Sequence, residues 1–552
     1  MNAVPNAADS VARLAHDDPA YLDPAVKMEP LVCGWVAWSH LLSPAQAAMN
    51  VAFRYLPLLE SFVATPSIHI AATKDPKMFG GPFVHLSAAD VPRVRELIAT
   101  TRQRFNRLLQ LAAELKAFNT GLQEGSKGFS LNEFYARIPG SLAGMIELMY
   151  DIDNHPRICL LEELLYAEYR EDLCKGAQEI SLSAAGESER RFFMSTPRLR
   201  SPETLTITTS FSNPALDVLT SMRSSPLPLA ELERCLGLKD LATSHAHLFT
   251  LQQPERNAAD YTGDGVRIRY FGHACVLIQT AGTNILIDPM FASEPAGAGS
   301  CSRFTLTDLP DRIDYVILSH SHQDHFSPEM LLQIRGRVRK VVVPLNNRGS
   351  IADPSMKLTL AQLGFRDSVA IGHFDSIAFG DGEFVSLPFP GEHSDLDVYS
   401  KHSIFVRAKG RQLLFLVDSD GWDVALYQRI AKQILVGNES RIDALFLGME
   451  CHGAPLTWLY GPLLTKPVTR RDDESRRLNG SDFERARRIV QQFTCDRVYV
   501  YAMGQEPWLR YVMGLEYSPE SVQLTQSAKL VDHCRSAGMI SERLYGSQDI
   551  LL

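Results

Sequence analysis

The chain contains the pattern H-x-H-x-D-H, in which four metal-binding side chains lie within six consecutive positions. The pattern follows an apolar segment, Ile313 to Leu318, whose β-branched and aromatic residues predict a buried strand. Residues two apart on an extended chain point the same way, so His320 and His322 can bind one cation together. Asp324 and His325 then offer an oxygen and a nitrogen to a second cation. The spacing predicts two metal ions about 3.5–4 Å apart, a pair that activates water or oxygen-bearing ligands.

A carboxylate follows a second pair of predicted strands. The segment IFVRAKGRQLLFLV, from Ile404 to Val417, predicts a hairpin that turns at Lys409-Gly410, and Asp418 comes directly after it. At that rim of the sheet, Asp418 could bridge two cations. The alternative is structural, because aspartate is a favoured N-cap and a helical segment follows over residues 422–435.

Two more predicted strands end near candidate ligands. Glu392 and His393 come soon after the short strand at residues 384–387, and either side chain could complete the shell of the first metal. His452 follows the apolar strand at residues 442–448 and is a candidate ligand of the second metal. An ordinary polar loop residue is an equal alternative for His452.

His273 lies in an apolar segment, VRIRYFGHACVLI, that predicts one strand over residues 266–278. A second strand at residues 284–287 follows a turn at Ala281-Gly282. Histidine at this position could orient metal ligands from behind, as groups outside the ligand shell do. It could equally be a satisfied histidine inside a sheet, and the sequence favours neither role.

The elements that must position these residues alternate between short strands and helical segments, such as residues 328–334 and 481–493. This alternation is typical of a layered α/β architecture. The N-terminal half is mostly helical in pattern, most clearly over residues 91–119.

A polar, turn-rich linker over residues 251–264 separates the two halves. We therefore predict an N-terminal domain (residues 1–255), a metal-binding domain (265–515) and a C-terminal helical extension (516–552).

Composition excludes several classes of protein. A chain of 552 residues is too long for one ordinary core, and its 45% hydrophobic and 22% charged residues are typical of soluble globular proteins. The net charge of −9 argues against a general nucleic-acid surface. No apolar stretch reaches the ~20 residues that span a bilayer, and the N-terminus lacks the pattern of a signal peptide. Nine scattered cysteines without a C-x-x-C pair predict reduced thiols and a cytoplasmic location.

Together these motifs resemble the metallo-β-lactamase superfamily over about residues 265–515. The matching features are the opening strands with G-H-A and I-D-P, the H-x-H-x-D-H pattern and the later aspartate after an apolar strand. The resemblance implies an α/β fold, a four-layered αβ/βα sandwich with a dinuclear site at one edge between two sheets. It also implies that a mostly helical α+β domain precedes this fold.

The whole chain is similar to one branch of that superfamily, the diiron β-hydroxylases of nonribosomal peptide biosynthesis. The total length, the long N-terminal domain and segments such as GMEC at residues 448–451 carry this similarity. In related enzymes the N-terminal domain contributes to dimerisation and covers the edge of the active site, so the same arrangement, a homodimer, is implied here.

This branch has a glutamate where most superfamily hydrolases have a histidine, which implies Glu392 rather than His393. The implied ligands are His320, His322, Asp324, His325, Glu392, a bridging Asp418, and His452. The implied reaction uses two iron ions, dioxygen and an external electron donor. It hydroxylates the β-carbon of an aminoacyl group held as a thioester on the carrier domain of a nonribosomal peptide synthetase.

Two other interpretations compete with this one. A dinuclear zinc or manganese hydrolase, such as a lactonase or phosphodiesterase, would use His393 in place of Glu392. A non-catalytic scaffold would have no need of so complete a ligand set. Carboxylate oxygens suit iron, but zinc hydrolases also use them, so the resemblance decides for the oxygenase. The arginine pairs at 470–471 and 476–477 are either a docking patch for an acidic carrier domain or a solvated loop.

Overall fold

The computed structural model describes residues 15–184, 186, 189–255, 259–294, 301–435 and 441–552. In the N-terminal half, the described helices pack around small sheets with the orders β3-β2-β6-β7, β8-β1-β9 and β4-β5. The strands are β1 (Pro19–Leu22), β2 (Lys27–Val32), β3 (Trp35–Val36), β4 (Ile146–Tyr150), β5 (Pro156–Leu160), β6 (Gln178–Ser183), β7 (Leu205–Thr208), β8 (Leu227–Pro228) and β9 (Phe249–Thr250). The helices are α1 (Ser39–Leu42), α2 (Pro44–Asn50), α3 (Leu56–Ala64), α4 (Pro66–Ala72), α5 (Val91–Arg104), α6 (Asn106–Gly125), α7 (Asn132–Tyr135), α8 (Glu162–Cys174), α9 (Ala215–Ser221), α10 (Leu229–Leu236) and α11 (Leu241–Ser244).

The helix predicted over residues 91–119 is two helices. Pro92 lies in the first turn of α5, where its missing N–H is tolerated. The backbone leaves helical geometry at Phe105, and α6 continues from there to Gly125. The ring of Phe105 is fully buried, so the break serves packing of both helices against the core.

The metal-binding half is built on two seven-stranded sheets. The first has the order β15-β14-β13-β12-β11-β10-β23 and is parallel from β12 to β15. Its strands are β10 (Arg267–Gly272), β11 (Cys275–Gln279), β12 (Asn284–Ile287), β13 (Ile313–Ile317), β14 (Val338–Pro344), β15 (Ser368–Ile371) and β23 (Gln548–Leu551). The carboxyl ends of its parallel strands therefore meet at one edge.

The second sheet has the order β16-β17-β18-β19-β20-β21-β22 and is parallel from β19 onward. The predicted hairpin is present as β18 and β19, with Lys409 and Gly410 both at positive φ in its turn. Its strands are β16 (Ser376–Phe379), β17 (Gly382–Leu387), β18 (Ser403–Ala408), β19 (Arg411–Phe415), β20 (Ala444–Gly448), β21 (Arg497–Tyr501) and β22 (Ile540–Arg543).

Helices cover both outer faces, which gives the four-layered αβ/βα sandwich. The helices are α12 (Pro328–Ile334), α13 (Met356–Gln362), α14 (Val424–Ile434), α15 (Leu456–Tyr460), α16 (Arg470–Ser475), α17 (Phe483–Val490), α18 (Arg510–Met513) and α19 (Val522–Ser536). One apolar cluster lies between the sheets, with side chains such as Val276 and Phe446. A second packs α14, α17 and α19 on the outer face of the second sheet.

The C-terminal residues 516–552 differ from a helical extension. Besides α19, they supply β22 to the edge of one sheet and β23 to the edge of the other. The segment therefore completes both sheets of the metal-binding fold. None of the described helices is long and apolar enough to cross a membrane.

Candidate metal centre

The H-x-H-x-D-H pattern lies in the loop that leaves β13, at the edge where the parallel strands end. His320, His322 and His325 are each at most 4% exposed, and the Asp324 side chain is 13% exposed. The backbone N–H groups of His325 and Phe326 donate to the carbonyl of His322, which forms a tight turn. This turn directs the second pair of side chains to the same edge as the first pair, as predicted from the spacing.

The first group of donor atoms comes from His320, His322 and Glu392. Nδ1 of His322 lies 2.7 Å from Oε1 of Glu392, and Nε2 of His320 lies 3.5 Å from Oε2. All the donor atoms of this group lie within 4.8 Å of one another, close enough to hold one cation.

The second set of donors lies beside the first and consists of two overlapping groups, one of His320, His325 and Asp418 and one of His273, Asp324 and His325. Oδ2 of Asp418 lies 2.9 Å from Nε2 of His325 and 3.9 Å from Nε2 of His320. Nε2 of His325 also lies 3.7 Å from Oδ2 of Asp324. Asp418 therefore faces one histidine of the first group and one of the second set, the position expected of a bridging ligand. It does not cap the next helix, because the N-cap of α14 is Asp423.

Left-handed backbone geometry directs several side chains into this edge. Glu392 (φ 70°), Val417 (φ 52°), His273 (φ 50°) and Asp288 (φ 41°) all have positive φ, which costs of order 1 kcal/mol or more for a residue other than glycine. Such residues persist where the surrounding structure over-determines them, and they concentrate at functional sites.

His393 is buried beside the first group without joining it. Its ring stacks on His322 with centroids 4.4 Å apart, and neither ring nitrogen makes a hydrogen bond within the described part of the chain. Its Nδ1 lies 3.2 Å from Oε2 of Glu392. No donor group among the described residues includes His393, so of the two neighbouring candidates the geometry favours Glu392.

His452 is not brought to the site. Its side chain is exposed, and no donor group among the described residues contains it. The chain turns after β20 at Cys451 (φ 61°), where the N–H of His452 donates to the carbonyl of Glu450, and the side chain of His452 is exposed beyond this turn. The alternative we gave for His452, a polar loop residue, is the one the structure has.

His273 lies at the second group because the segment predicted as one strand is a hairpin. β10 and β11 pair antiparallel, and the chain reverses at Gly272 (φ 108°) and His273. The Gly504 N–H donates to Nδ1 of His273 over 3.1 Å, so the neutral ring carries its proton on Nε2. Nε2 lies 3.1 Å from Oδ2 of Asp324. This arrangement suits a group that supports Asp324, although His273 is close enough to count among the second set of donors.

Two groups outside the donor set orient its histidines. Oδ2 of Asp288, in the predicted I-D-P motif, lies 2.8 Å from Nδ1 of His325, which leaves Nε2 free to face Asp418. Asp288 also accepts hydrogen bonds from the N–H and hydroxyl of Ser319. On the other side, Oη of Tyr460 lies 3.2 Å from Nε2 of His322. Histidine ligands of metals usually have such a partner on the second nitrogen.

Several carboxylates are crowded at this edge, an arrangement that favours bound cations. Burial, and then the carboxylates of Asp418 and Asp324, raise the pKa of Glu392 well above its ordinary range. Burial, and then Glu392, do the same to the pKa of Glu450. Burial opposes ionisation of Asp324, but His325 and His273 outweigh it and hold that pKa low. Carboxylates so crowded are stabilised by bound cations, which become the largest local charges.

Unpartnered buried atoms give an independent test of whether metal ions fit. Nε2 of His320, Nε2 of His325 and Oε2 of Glu392 are buried and make no hydrogen bond to another described residue. Buried polar atoms are normally satisfied, so atoms left without partners that face one another mark ligand positions. The mixed nitrogen and oxygen set fits iron, whose harder character accepts carboxylates as well as imidazoles.

The sequence did not single out Glu450 or Tyr460 as contributors to the site. Glu450 had a detectable signal, since it follows β20 just as Asp418 follows β19. Tyr460 had none, because a helix distant in sequence from the ligand loop delivers it.

Of the two arginine pairs in the predicted basic loop, one makes structural contacts and the other is exposed. Arg476 donates to the carbonyl of Ser394, and Arg477 donates to the carbonyl of Gly453, so both brace loops at the metal edge. Arg470 and Arg471 are exposed at the start of α16.

The fold and the paired donor groups define a metallo-β-lactamase-like protein with a dinuclear metal site. The family model described as "Diiron non-heme beta-hydroxylase N-terminal domain" matches residues 21–254, and that described as "Beta-lactamase superfamily domain" matches residues 267–413. The chain belongs to the family of diiron non-heme β-hydroxylases, which makes it an oxygenase whose cofactor is a pair of iron ions.

Individual relatives agree with this assignment. The chain is 35% identical over 526 residues, 94% of its length and 97% of the relative's, to the 4-amino-L-phenylalanyl-[CmlP-peptidyl-carrier-protein] 3-hydroxylase of Streptomyces venezuelae. The crystal structure of CmlA, a diiron beta-hydroxylase from the same organism, superimposes with a TM-score of 0.89 at 34% identity, covering 97% of this chain and 100% of that one. A metal-dependent hydrolase of Opitutus terrae is 27% identical over 232 residues, only 38% of this chain and 93% of the hydrolase. The whole-length similarity is to the hydroxylases, against the hydrolase interpretation.

Proposed function

We propose that this enzyme hydroxylates the β-carbon of an aminoacyl group held as a thioester on a peptidyl carrier domain. The observation that carries the proposal is the donor set, in which Glu392 lies beside His320 and His322 at the position where most hydrolases of this fold have a histidine. The chain that contains it matches a hydroxylase of a carrier-bound aminoacyl group over nearly its whole length. When bound and reduced, the two iron ions would activate dioxygen for insertion into a C–H bond.

The metal ligands in this proposal are six. His320, His322 and Glu392 would hold the first ion, Asp324 and His325 would hold the second, and Asp418 would contribute its carboxylate to both. His273 supports Asp324 from behind, and His452 has no part. The Asp288 carboxylate accepts from Nδ1 of His325, and the Tyr460 hydroxyl can accept from Nε2 of His322, so that each contact would favour the tautomer whose free nitrogen faces an ion.

The protein's own contribution to the reaction is positioning and exclusion of water. The ligand histidines are almost completely buried, which would keep bulk water away from the place where the two ions bind. Residues of the N-terminal half pack against the ligand loop, with Ser39 Oγ donating to the carbonyl of Ser321 over 2.7 Å. A substrate on a flexible arm would have its β-carbon fixed near the site by the walls that these elements form.

The proposal includes an external reductant, because each turnover with dioxygen needs two electrons that the substrate does not supply. It also includes a homodimer and a cytoplasmic location. The location is supported by the nine cysteines, all of which are free thiols in the structure.

The test combines metal analysis with turnover. Protein produced with iron and zinc both available should contain about two irons per chain, with a near-ultraviolet band that bleaches on reduction and returns with oxygen. The reduced protein should then convert carrier-bound aminoacyl groups to the β-hydroxy product and leave the free amino acids almost untouched. Two zinc ions with a featureless spectrum, or equal turnover of free and carrier-bound amino acid, would overturn the proposal.

A further inference from the structure

Tyr460 contacts the proposed iron ligand His322 at the ring nitrogen that faces away from Glu392. It is the last residue of α15 and is 1% exposed, and its Oη lies 3.2 Å from Nε2 of His322. The other ring nitrogen of His322, Nδ1, faces Oε1 of Glu392 at 2.7 Å. The two nitrogens of one imidazole thus face two different environments, one the phenol and the other the metal edge.

The direction of this hydrogen bond decides whether His322 can bind a metal. A neutral imidazole carries one proton, and the nitrogen that binds a metal must be the unprotonated one. If the Nε2–H donates to the oxygen of Tyr460, Nδ1 has a free lone pair directed at the site. With the proton on Nδ1 instead, the ring could not bind a metal through that atom. The Tyr460 hydroxyl can accept from Nε2–H or donate to Nε2, and accepting is the arrangement that leaves Nδ1 free to bind.

The N-terminal domain holds the helix that delivers Tyr460. Nη2 of Arg54 donates to the carbonyls of Trp458 and Leu459, over 2.7 and 3.1 Å. These carbonyls lie in the last turn of α15, where a cation is favourable because it satisfies groups that the helix leaves unpaired. Nε1 of Trp458 in turn donates to the carbonyl of Gly80 in the N-terminal domain, over 3.1 Å.

Arg54 comes from an unusual element. It lies in a π-helical turn, Val51–Tyr55, between α2 and α3. Turns of this kind are rare and are often retained at functional sites, because the extra residue per turn displaces side chains from the ordinary helical positions. Here the turn presents Arg54 to α15.

A second contact from the same domain supports the backbone beside His322. The hydroxyl of Ser39 donates to the carbonyl of Ser321 over 2.7 Å, and the His40 ring lies 6.0 Å from the Tyr460 ring. The N-terminal domain therefore reaches His322 by two routes, one through the peptide that precedes it and one through Tyr460.

We propose that Tyr460 and Arg54 are positioning residues through which the N-terminal domain fixes the orientation and tautomer of His322. This inference rests on the proposed function, because it takes His322 to be a metal ligand. It extends that function by making the N-terminal domain part of the metal site, beyond its role as a cover.

The test measures metal binding by the whole chain, with Co²⁺ as the probe. Apo-protein is titrated with Co²⁺ against a competing chelator, and the visible d–d bands of each site are recorded. Tyr460→Phe removes only the acceptor oxygen. We expect its affinity for one of two Co²⁺ ions to fall roughly 10–100-fold, the usual cost of losing a partner of a histidine ligand, with a change in the bands of that site.

Arg54 provides a graded series and Tyr166 a control. Arg54→Met should weaken the same Co²⁺ site, and Arg54→Lys should weaken it less, since a lysine can still donate to one of the two carbonyls. Tyr166→Phe removes another buried hydroxyl, one that bonds to the hydroxyls of Ser43 and Thr359 and not to a proposed ligand. It should leave both affinities and both sets of bands unchanged. Circular dichroism and thermal melting of the apo-proteins check that each variant folds.

The outcomes separate this inference from the proposed function. If the wild-type protein binds two Co²⁺ ions and Tyr460→Phe binds both with unchanged affinity and spectrum, the positioning role is refuted while the metal site stands. An effect of Tyr460→Phe without any effect of Arg54→Met would refute the link to the N-terminal domain. Failure of the wild-type protein to bind metal would defeat the proposed function and this inference with it.

Discussion

Replacing Glu392 with alanine should remove one of two metal ions. The carboxylate lies 2.7 Å from Nδ1 of His322 and 3.5 Å from Nε2 of His320, so it is the oxygen donor of the first group. Loss of a group that merely orients a ligand costs roughly 10–100-fold in metal affinity. Loss of a direct ligand should exceed that range, so we expect a decrease of at least about 100-fold, or about 2.7 kcal/mol.

His393→Ala is the matched control for this substitution. His393 is adjacent in sequence and equally buried, and its ring contacts His322 by stacking at 4.4 Å. Its removal should weaken side-chain packing without removing a metal ligand, so the variant should still contain two metal ions. Metal content is measured on the purified proteins, and affinity is measured by anaerobic titration of the apo-proteins with Fe²⁺ against a chelator.

The two variants together can refute the reasoning. Purified Glu392→Ala should hold about one ion and His393→Ala about two. The reverse result would place the histidine in the metal shell, as in most hydrolases of this fold, and would remove the main structural argument for iron. Loss of both ions from both variants would mean that the loop is held together as a unit and that the donor group was wrongly divided.

Three further substitutions test the surroundings of the site. Asp288→Asn, which removes the charged partner 2.8 Å from Nδ1 of His325, should weaken the second ion roughly 10–100-fold in the same chelator titration. His273→Gln should retain both ions, because a glutamine amide can accept from the backbone N–H of Gly504 and donate to Asp324. His273→Ala should have a lower metal affinity, and an equal loss of affinity in both variants would make His273 a ligand. Burial lowers the pKa of His402 to about 3, so the unfolded chain takes up a proton at that residue below pH 6.5 and the folded chain does not. Its contribution to stability is present above pH 6.5 and is lost on acidification, by about 1 kcal/mol from pH 6.5 to about 5.5, so the urea midpoint of His402→Gln should fall less over that interval than that of the wild type.

The sequence was sufficient to predict that several candidate ligands follow strands and meet at one edge of the fold. His320 comes after β13 and Asp418 after β19, and the apolar segments that precede them have the composition of buried strands. When strands of this kind run parallel, their ends meet at one edge, so local patterns place distant residues together. The hairpin turn at Lys409-Gly410 was predictable for a similar reason, because its left-handed geometry is a local property.

Features that depend on tertiary packing were not predictable. The reversal at Gly272 and His273 lies inside thirteen residues that read as a continuous apolar strand, and nothing but the left-handed backbone at those two residues marks it. The prediction that His452 is a metal ligand was wrong for a related reason, because the chain turns at Cys451 (φ 61°) and leaves the side chain of His452 exposed. The edge strands β22 and β23 are short, and long-range pairing rather than composition defines them.

The domain boundary that the sequence suggests is not a boundary of the hydrophobic core. One apolar cluster runs from Leu22 and Trp38 in the N-terminal half to Leu331 and Leu360 on the helical face of the first sheet. Arg335, at the end of α12, donates across this contact to the carbonyls of residues 211 and 213. Leaving such carbonyls unsatisfied costs roughly 1–3 kcal/mol each, so the two halves are tightly held together. Because the metal site is built on this shared core, residues of both halves lie close enough to support it. This proximity explains why the helix that carries Tyr460 is held by Arg54 of the N-terminal half.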